Sequence, residues 1–464
     1  MEIIIPSDRI VARLKGTMEE TKQVKEILSY SEKQYTGKRK IEKDGVWRTV
    51  KSFKKVKRSV LRGNLFLAGL VPRVQKEFKG KCEIVEENKE ELVYEPFVLK
   101  DVELRDYQAD VLYKIIEQQR GIVVFPTGSG KTVMMAALIA ALPLKFMVIV
   151  QKLDLLKQTV DKLSTMLDEE VGYLGGGAEE WKDITVCSIQ TLKSRDYDIP
   201  FISGLIVDEV HHAGSPSYLE VLNKIGSDLR IGFTATEAFI PSKQLQIEGI
   251  FGPTIATMPY EDLAEMGMLA KGNVEIHEIP VNTDVYTMSA SDWNALYYAG
   301  IVINPARNSK IAIISRDYSL EGKKVLIIVN RIEHGTLLQG ICGEHSVFVN
   351  GGSDGKDRDM VAKSLAKEGG RVVIATNIFD EGMDFPELDV VVLARGWESP
   401  IATVQSGGRG SRVTNTKKSF TVVDFYDRTH RVLKKHSDSR IKVYKSKGWE
   451  VTTHQKLQKK CPSF

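Results

Sequence analysis

The first hundred residues alternate between two spacings of apolar positions. "MEIIIPSDRIVARL" alternates apolar and polar residues as a half-buried strand does, whereas "MEETKQVKEILSYS" sets Val24, Ile27 and Leu28 on one helix face. "GVWRTVKSFKKVKRSVLRGNLFLAG" predicts strands whose outward positions are mostly Lys and Arg. "LVPRVQKEFKG" predicts a short helix, "KCEIVEE" a closing strand, and the acidic "EENKEELVYEP" a linker. From about Leu104 the pattern changes. "GIVVF", "KFMVIV", "ITVCSI", "LIVDE" and "RIGFTAT" are short, rich in β-branched residues and separated by helical segments. A second series follows: "KKVLIIVN", "HSVFVN", "GRVVIAT", "LDVVVLA" and "KSFTVVDF". Apolar runs without alternation suit parallel strands covered by helices on both faces. The expected class is α/β: a small basic α+β domain with its linker over residues 1–100, α/β domains over 101–272 and 273–428, and a basic tail over 429–464.

Charge sharpens this division. The net charge is +4, but residues 1–80 carry +11, residues 428–464 carry +9, and the middle carries −16. Basic ends on an acidic body point to a polyanion as partner. A chain of 464 residues exceeds one core, and 42% hydrophobic with 27% charged residues is the balance of a globular protein. No apolar run reaches the ~18–20 residues that span a bilayer, and "MEIIIPSDRIVARLKG" is soon charged, unlike a secretory signal. Cys82, Cys187, Cys342 and Cys461 are scattered and form neither a disulfide framework nor a CxxC pattern, so a reducing cytoplasm is expected and structural zinc is not.

The chemistry is concentrated in "VVFPTGSGKTVMM". A strand, a glycine turn and a helix follow one another. Such a turn aims backbone N–H groups at phosphates, and the helix N-terminus adds its dipole. Thr127, Gly128, Ser129, Gly130, Lys131 and Thr132 form the expected cradle. Lys131 reaches the β/γ-phosphates and Thr132 ligates Mg²⁺. Phe125 stands where the motif usually begins with glycine. "LIVDEVHH" supplies the partner carboxylates: Asp208 to hold Mg²⁺ and Glu209 to orient the attacking water. His211 follows as a γ-phosphate sensor. The expected cofactors are ATP and Mg²⁺.

"PTGSGKT", "DEVHH" and "FTAT", followed by "VVIATNIFDEGMDFPELDVVVLA" and "QSGGRGSR", together resemble the superfamily 2 helicases and translocases over nearly all of 104–427. The resemblance implies two tandem RecA-like domains. It assigns Tyr107 and Gln108 of "LRDYQ" to adenine recognition, and Gly382, Asp384 and Gln405 to the nucleotide. It makes Arg409 and Arg412 the candidates for an arginine finger, whose planar guanidinium suits a phosphoryl group. Thr234 and Thr236 couple nucleotide to track, and Ser188, Gln190, Thr191 and Thr376 contact nucleic-acid phosphates.

"DEVHH" in place of "DEAD", with "LRDYQ" close to the P-loop, resembles the UvsW-, RecG- and XPB-like DNA translocases. That branch implies a cytoplasmic, monomeric enzyme, acting in a host cell if phage-encoded. Its partner is branched or duplex-containing DNA, and its work is remodelling forks, Holliday junctions or R-loops in recombination and repair. Lys54, Lys55, Lys57 and Arg58 are then expected on a duplex arm, where they neutralise phosphates without reading sequence. Trp47 and Phe53 lie among these bases. An RNA helicase of superfamily 2 and the motor subunit of a restriction system are the rival readings. A dead ATP fold is disfavoured by intact Lys131, Asp208, Glu209 and Arg409.

Overall fold

The computed structural model describes residues 1–43, 46–79, 81–87, 92–194, 197–200, 202–235, 241–350, 370–376, 388–397 and 419–454. It divides into two units. One holds Met1–Phe125 and Gly130–Thr257, the other Met258–Phe464 with Pro126–Ser129. No described helix is long and apolar enough to cross a membrane.

The first unit opens with the small module. Four strands lie in the order Leu65–Leu67, Val11–Lys15, Glu2–Ile5, Glu83–Glu86. Helices Met18–Ile27 and Val71–Glu77 accompany them, and Ile3, Leu14, Val24, Leu28, Phe66, Leu70 and Val74 form their core. Thr17 starts the first helix with a capping box: its hydroxyl accepts from Glu20 N–H, and Glu20 accepts from Thr17 N–H. Between helix and third strand the chain runs out and back as one long antiparallel ribbon, Ser29–Lys43 against Val46–Ser59. The ribbon forms a two-stranded sheet of its own.

The same unit contains an eight-stranded sheet among the described residues. Its order is Ala178–Glu180, Gly172–Gly175, Ile184–Ser188, Phe146–Val150, Gly204–Val207, Leu229–Thr234, Arg120–Val124, Thr254–Thr257. Every pairing is parallel except that between the first two strands. The five central strands are buried almost throughout, which explains why they read as unbroken apolar runs.

The module is docked rigidly on this sheet's helices. Helix Pro241–Phe251 gives Leu245 to the module's core, and Ile247, Ile250 and Phe251 to the domain's core. Arg73 donates Nε to Glu248 Oε1 (2.8 Å) and Nη2 to Glu248 Oε2 (2.5 Å), a bidentate pair. Arg9 reaches Gln119 Oε1 at 3.3 Å, and Arg120 donates to the carbonyls of Arg9 and of Ile250. Gly69 fits because it has no side chain. A Cβ there would lie 2.3 Å from the Glu248 carbonyl oxygen.

The second unit holds a seven-stranded sheet among the described residues. The order is Ser346–Val349, Arg371–Thr376, Lys324–Val329, Val390–Leu393, Ser419–Asp427, Lys271–Ile279, Glu450–His454, and all pairings are parallel. The segment 429–464, expected as a basic tail, instead contributes a helix and a strand to this unit. Helix Arg431–Ser446 buries Leu433, Ser437, Arg440 and Tyr444. Arg440 and the Tyr444 hydroxyl both bond the buried Asp424, at 2.7 Å each. Trp449 is packed against Tyr260, Phe420 and Tyr444 and is a core residue. Strand Lys271–Ile279 begins inside the range expected for the first domain, yet pairs with Ser419–Asp427.

Two glycines test the docking. Gly69→Ala is expected to cost on the order of 1–3 kcal/mol by overpacking backbone against backbone. Gly340→Ala, on an open helix face, is expected to gain up to about 1 kcal/mol. Thermal unfolding of the two variants beside the parent reads both. A neutral Gly69→Ala would contradict the close approach.

Candidate active site

Strand Arg120–Val124 delivers the chain to the phosphate-type loop, and helix Lys131–Ala141 leaves it. Gly128 and Gly130 have φ of +85° and +92°, where a side chain is strained. Gly130 is constrained twice, since a Cβ there would come within 2.5 Å of Gln108 Nε2. No side chain caps this helix. An anion placed at the loop would satisfy the N–H groups of its first turn. Ser129 is buried, and its hydroxyl donates to the Pro126 carbonyl at 2.8 Å. Phe125, the departure from the motif, is fully buried and packs against the Tyr107 ring, centroids 5.9 Å apart. The position serves the core here, and it ties the loop's entrance to the "LRDYQ" segment. Gln108 accepts from Arg105 N–H at 3.0 Å, which fixes its carbonyl end and leaves its amide end beside Gly130.

The acidic pair sits at the end of strand Gly204–Val207. Asp208 N–H donates to the Ile149 carbonyl, and Asp208 Oδ1 accepts from Glu209 N–H at 2.9 Å. Glu209 takes φ +50°, uncommon for a non-glycine residue. That turn points its carboxylate at two partners. Lys131 Nζ lies 3.7 Å from Oε1, and His211 Nδ1 lies 3.3 Å from Oε2. His211 is buried, and its Nδ1 is also 2.9 Å from the Thr234 hydroxyl at the end of the adjacent strand. Lys131, Glu209, His211 and Thr234 are thus one continuous chain of polar contacts.

The two carboxylates are driven apart electrostatically. Burial, and then the charge of Glu209, push Asp208 up to about 6. Burial acts on Glu209 in the same sense, but Lys131 and His211 outweigh it and hold Glu209 below the carboxylate range. Lys131 pulls Asp208 the other way but does not cancel these two effects, and a carboxylate so placed is a hard oxygen donor of the kind a divalent ion takes. The Thr132 hydroxyl and Asp208 are the oxygen donors that would hold Mg²⁺ on the sequence's expectation.

The structure treats the remaining expected residues unequally. Ser188 is fully buried, and its hydroxyl is spent on the next turn: it accepts from Thr191 N–H at 3.1 Å and contacts Thr191 Oγ at 2.8 Å. Ser188 is therefore a positioning residue for Thr191, a correction to its expected phosphate contact, while Gln190 is exposed. Thr376 ends strand Arg371–Thr376 with its Oγ1 buried and without a hydrogen-bond partner among the described residues. Lys54 and Lys55 are exposed on the ribbon. Lys57 and Arg58 are each paired with a carboxylate, Glu26 and Glu32. Thr236, Gly382, Asp384, Gln405, Arg409 and Arg412 lie outside the described residues, and so do the side chains of Trp47 and Phe53. Sequence reasoning missed the docking residues Gly69, Arg73 and Glu248. Arg73 and Glu248 are 175 positions apart, and no local pattern links them.

The raised Asp208 makes a stability test. Its folded pKa lies above the ordinary value, so ionising it opposes folding. The penalty is absent below the ordinary value of 3.8, grows as pH rises from there, and is complete above about 6. In the absence of nucleotide and divalent ions, Asp208→Asn is expected to raise the unfolding temperature at neutral pH by roughly a few degrees. The gain should hold above about 6 and fade as pH is lowered from about 6 to 3.8. A pH-independent difference would contradict the assignment.

Two family models match. "Type III restriction enzyme, res subunit" covers residues 101–239, and "Helicase conserved C-terminal domain" covers 309–414. The DNA 3'-5' translocase XPB2 of Sulfurisphaera tokodaii is 25% identical over 381 residues, 72% of this chain and 84% of that one. Among solved structures, the type ISP restriction-modification enzyme LlaBIII bound to DNA matches at 14% identity with a TM-score of 0.60, over 78% of this chain and 32% of that one. The T4 UvsW structure matches at 19% identity with a TM-score of 0.43, over 98% of this chain and 99% of that one. With both helicase domain types in order and the nucleotide-loop, acidic-pair and threonine elements assembled around one buried chain, the protein belongs to the superfamily 2 helicases, ATP-hydrolysing motors built on two RecA-like domains.

Proposed function

We propose that this helicase is a DNA translocase that remodels branched DNA, with Mg²⁺·ATP as fuel. The observation that carries the DNA reading is the basic ribbon fixed to the first motor unit. Residues 29–59 hold 11 Lys and Arg against 3 Asp and Glu. The ribbon is paired with no other described sheet, and its successive exposed residues Lys54 and Lys55 point to opposite faces. A two-stranded ribbon of that kind fits a duplex groove, and its lysines fit the phosphates on either side. The relative named above is a DNA translocase, which supports the same substrate class.

At the ATP site, Lys131 and the first-turn amides of its helix bind the phosphates. Thr132 and Asp208 hold the metal ion, which offsets charge on the β/γ-phosphates when bound. Glu209 orients the attacking water and accepts its proton, for which its ionised state suits it. His211 relays the state of the γ-phosphate to Thr234. Arg409 and Arg412 supply the finger, and Gln190, Thr191 and Thr376 hold the strand. Repeated turnover then becomes stepping along DNA.

Steady-state ATPase at fixed salt, with no nucleic acid, single-stranded DNA, duplex, a four-way junction or RNA, tests this reading. Junction or fork is expected to stimulate most, and Lys131→Ala is expected to lower turnover by at least about 10²-fold while junction binding persists. Stimulation by RNA alone would favour an RNA helicase instead. The ribbon has its own test in a salt titration of junction binding. Replacing Lys54 and Lys55 together by Ala should reduce the slope of log K against log salt by about 2. An unchanged slope would remove the ribbon from the interface.

A further inference from the structure

Three metal-ligating side chains meet at the edge of the second sheet, apart from any residue assigned to ATP or DNA. Glu275 and His277 lie two apart on strand Lys271–Ile279, hence on one face. The edge strand Glu450–His454 pairs in parallel with it, and the register sets His454 directly against His277. His277 Nε2 lies 3.3 Å from Glu275 Oε2, and His454 Nε2 lies 3.9 Å from the same oxygen. All three ligand atoms lie within 4.8 Å of one another. The imidazoles are stacked, their planes 8° apart.

The cluster has the support that ligands need. Glu275 Oε1 accepts from the Tyr318 hydroxyl at 2.7 Å, which orients the carboxylate and leaves Oε2 to the histidines. The Phe425 ring backs His277. A hydrogen bond between His277 and Glu275 explains one of these approaches. It does not explain why a second imidazole, from another strand, converges on the same oxygen. Ligands ~2.0–2.1 Å from a tetrahedral ion lie roughly 3.3–3.4 Å apart. The Glu275–His277 spacing already meets that value. His454, whose side chain is 46% exposed, is the member with room to close. Two imidazole nitrogens and one carboxylate oxygen suit a borderline ion such as Zn²⁺, not Mg²⁺ or Ca²⁺. The scattered cysteines exclude only thiolate sites.

We propose that Glu275, His277 and His454 bind a divalent transition-metal ion of the zinc class, with water in the fourth position, and that the ion clasps the C-terminal edge strand onto the sheet. Among the described residues, that strand's one neighbour in the sheet is Lys271–Ile279. A cross-strand ligand therefore adds a second hold beside the backbone ladder.

The full chain, stripped with chelator, is dialysed against Zn²⁺ and analysed for metal, then reloaded with Co²⁺ for absorption spectroscopy. Hydrogen exchange is followed across Glu450–His454 with and without Zn²⁺. The expected result is a single zinc ion retained per chain, a tetrahedral Co²⁺ spectrum and slower exchange in the edge strand. His454→Ala and Glu275→Gln should each lose all three signals, and His454→Ala should keep the parent's ATPase activity, showing that it is folded. Failure of the parent to retain zinc, or equal retention by both variants, would overturn the site. Retention without slower exchange would overturn the clasp.

Discussion

Two consecutive carboxylates, Asp208 and Glu209, sit half-buried at the end of one strand, and the surrounding residues are arranged around that pair. Each ionised group buried alone would cost several kcal/mol. Glu209 is made tolerable by Lys131 and His211, and Asp208 is not, so it is pushed toward its neutral form. The pairing depends on strand register. Strands Gly204–Val207 and Leu229–Thr234 run parallel with Val207 opposite Gly232, which brings the turn after the first beside Thr234. Gly232 has to be glycine, since a Cβ would lie 2.7 Å from Val210. A larger residue there would push away the short helical turn that carries His211.

Much of this was legible because it is local. The apolar runs read as buried parallel strands are buried parallel strands, and the glycines of the loop take the backbone angles that their spacing implied. What escaped was long-range or disguised. Ser188 looked like a ligand for phosphate, but a serine just before a helix is equally a cap, and burial decides between the two. The basic end of the chain read as a tail for a polyanion. Its helix in fact buries Leu433, Ser437, Arg440 and Tyr444, a face at helical spacing that carries too few apolar residues to show in hydropathy. Asp424, sixteen positions upstream, and the Trp397 and Phe425 carbonyls make an arginine there a core residue. The ribbon was legible as basic strands, but its length and its isolation from other sheets were not.

Helix Pro241–Phe251 is hidden in the sequence for a related reason. It shows no clean apolar stripe because it is buried on two sides. Leu245 belongs to the small module's core, and Ile247, Ile250 and Phe251 belong to the domain's. The same helix packs against Ala68–Leu70 of the module and against the turn Val210–His212 that carries His211. A helix shared by two cores cannot shift relative to one without opening a cavity in the other, and packed interiors resist that. The ribbon is therefore carried by the unit that holds Lys131 and Glu209, through a core the two share. A tethered DNA-binding module would lose part of its grip to the freedom of its linker. A module that shares a core with the motor keeps that grip. On the proposed function, force applied to DNA at the ribbon would pass into the same helix that touches the turn carrying His211.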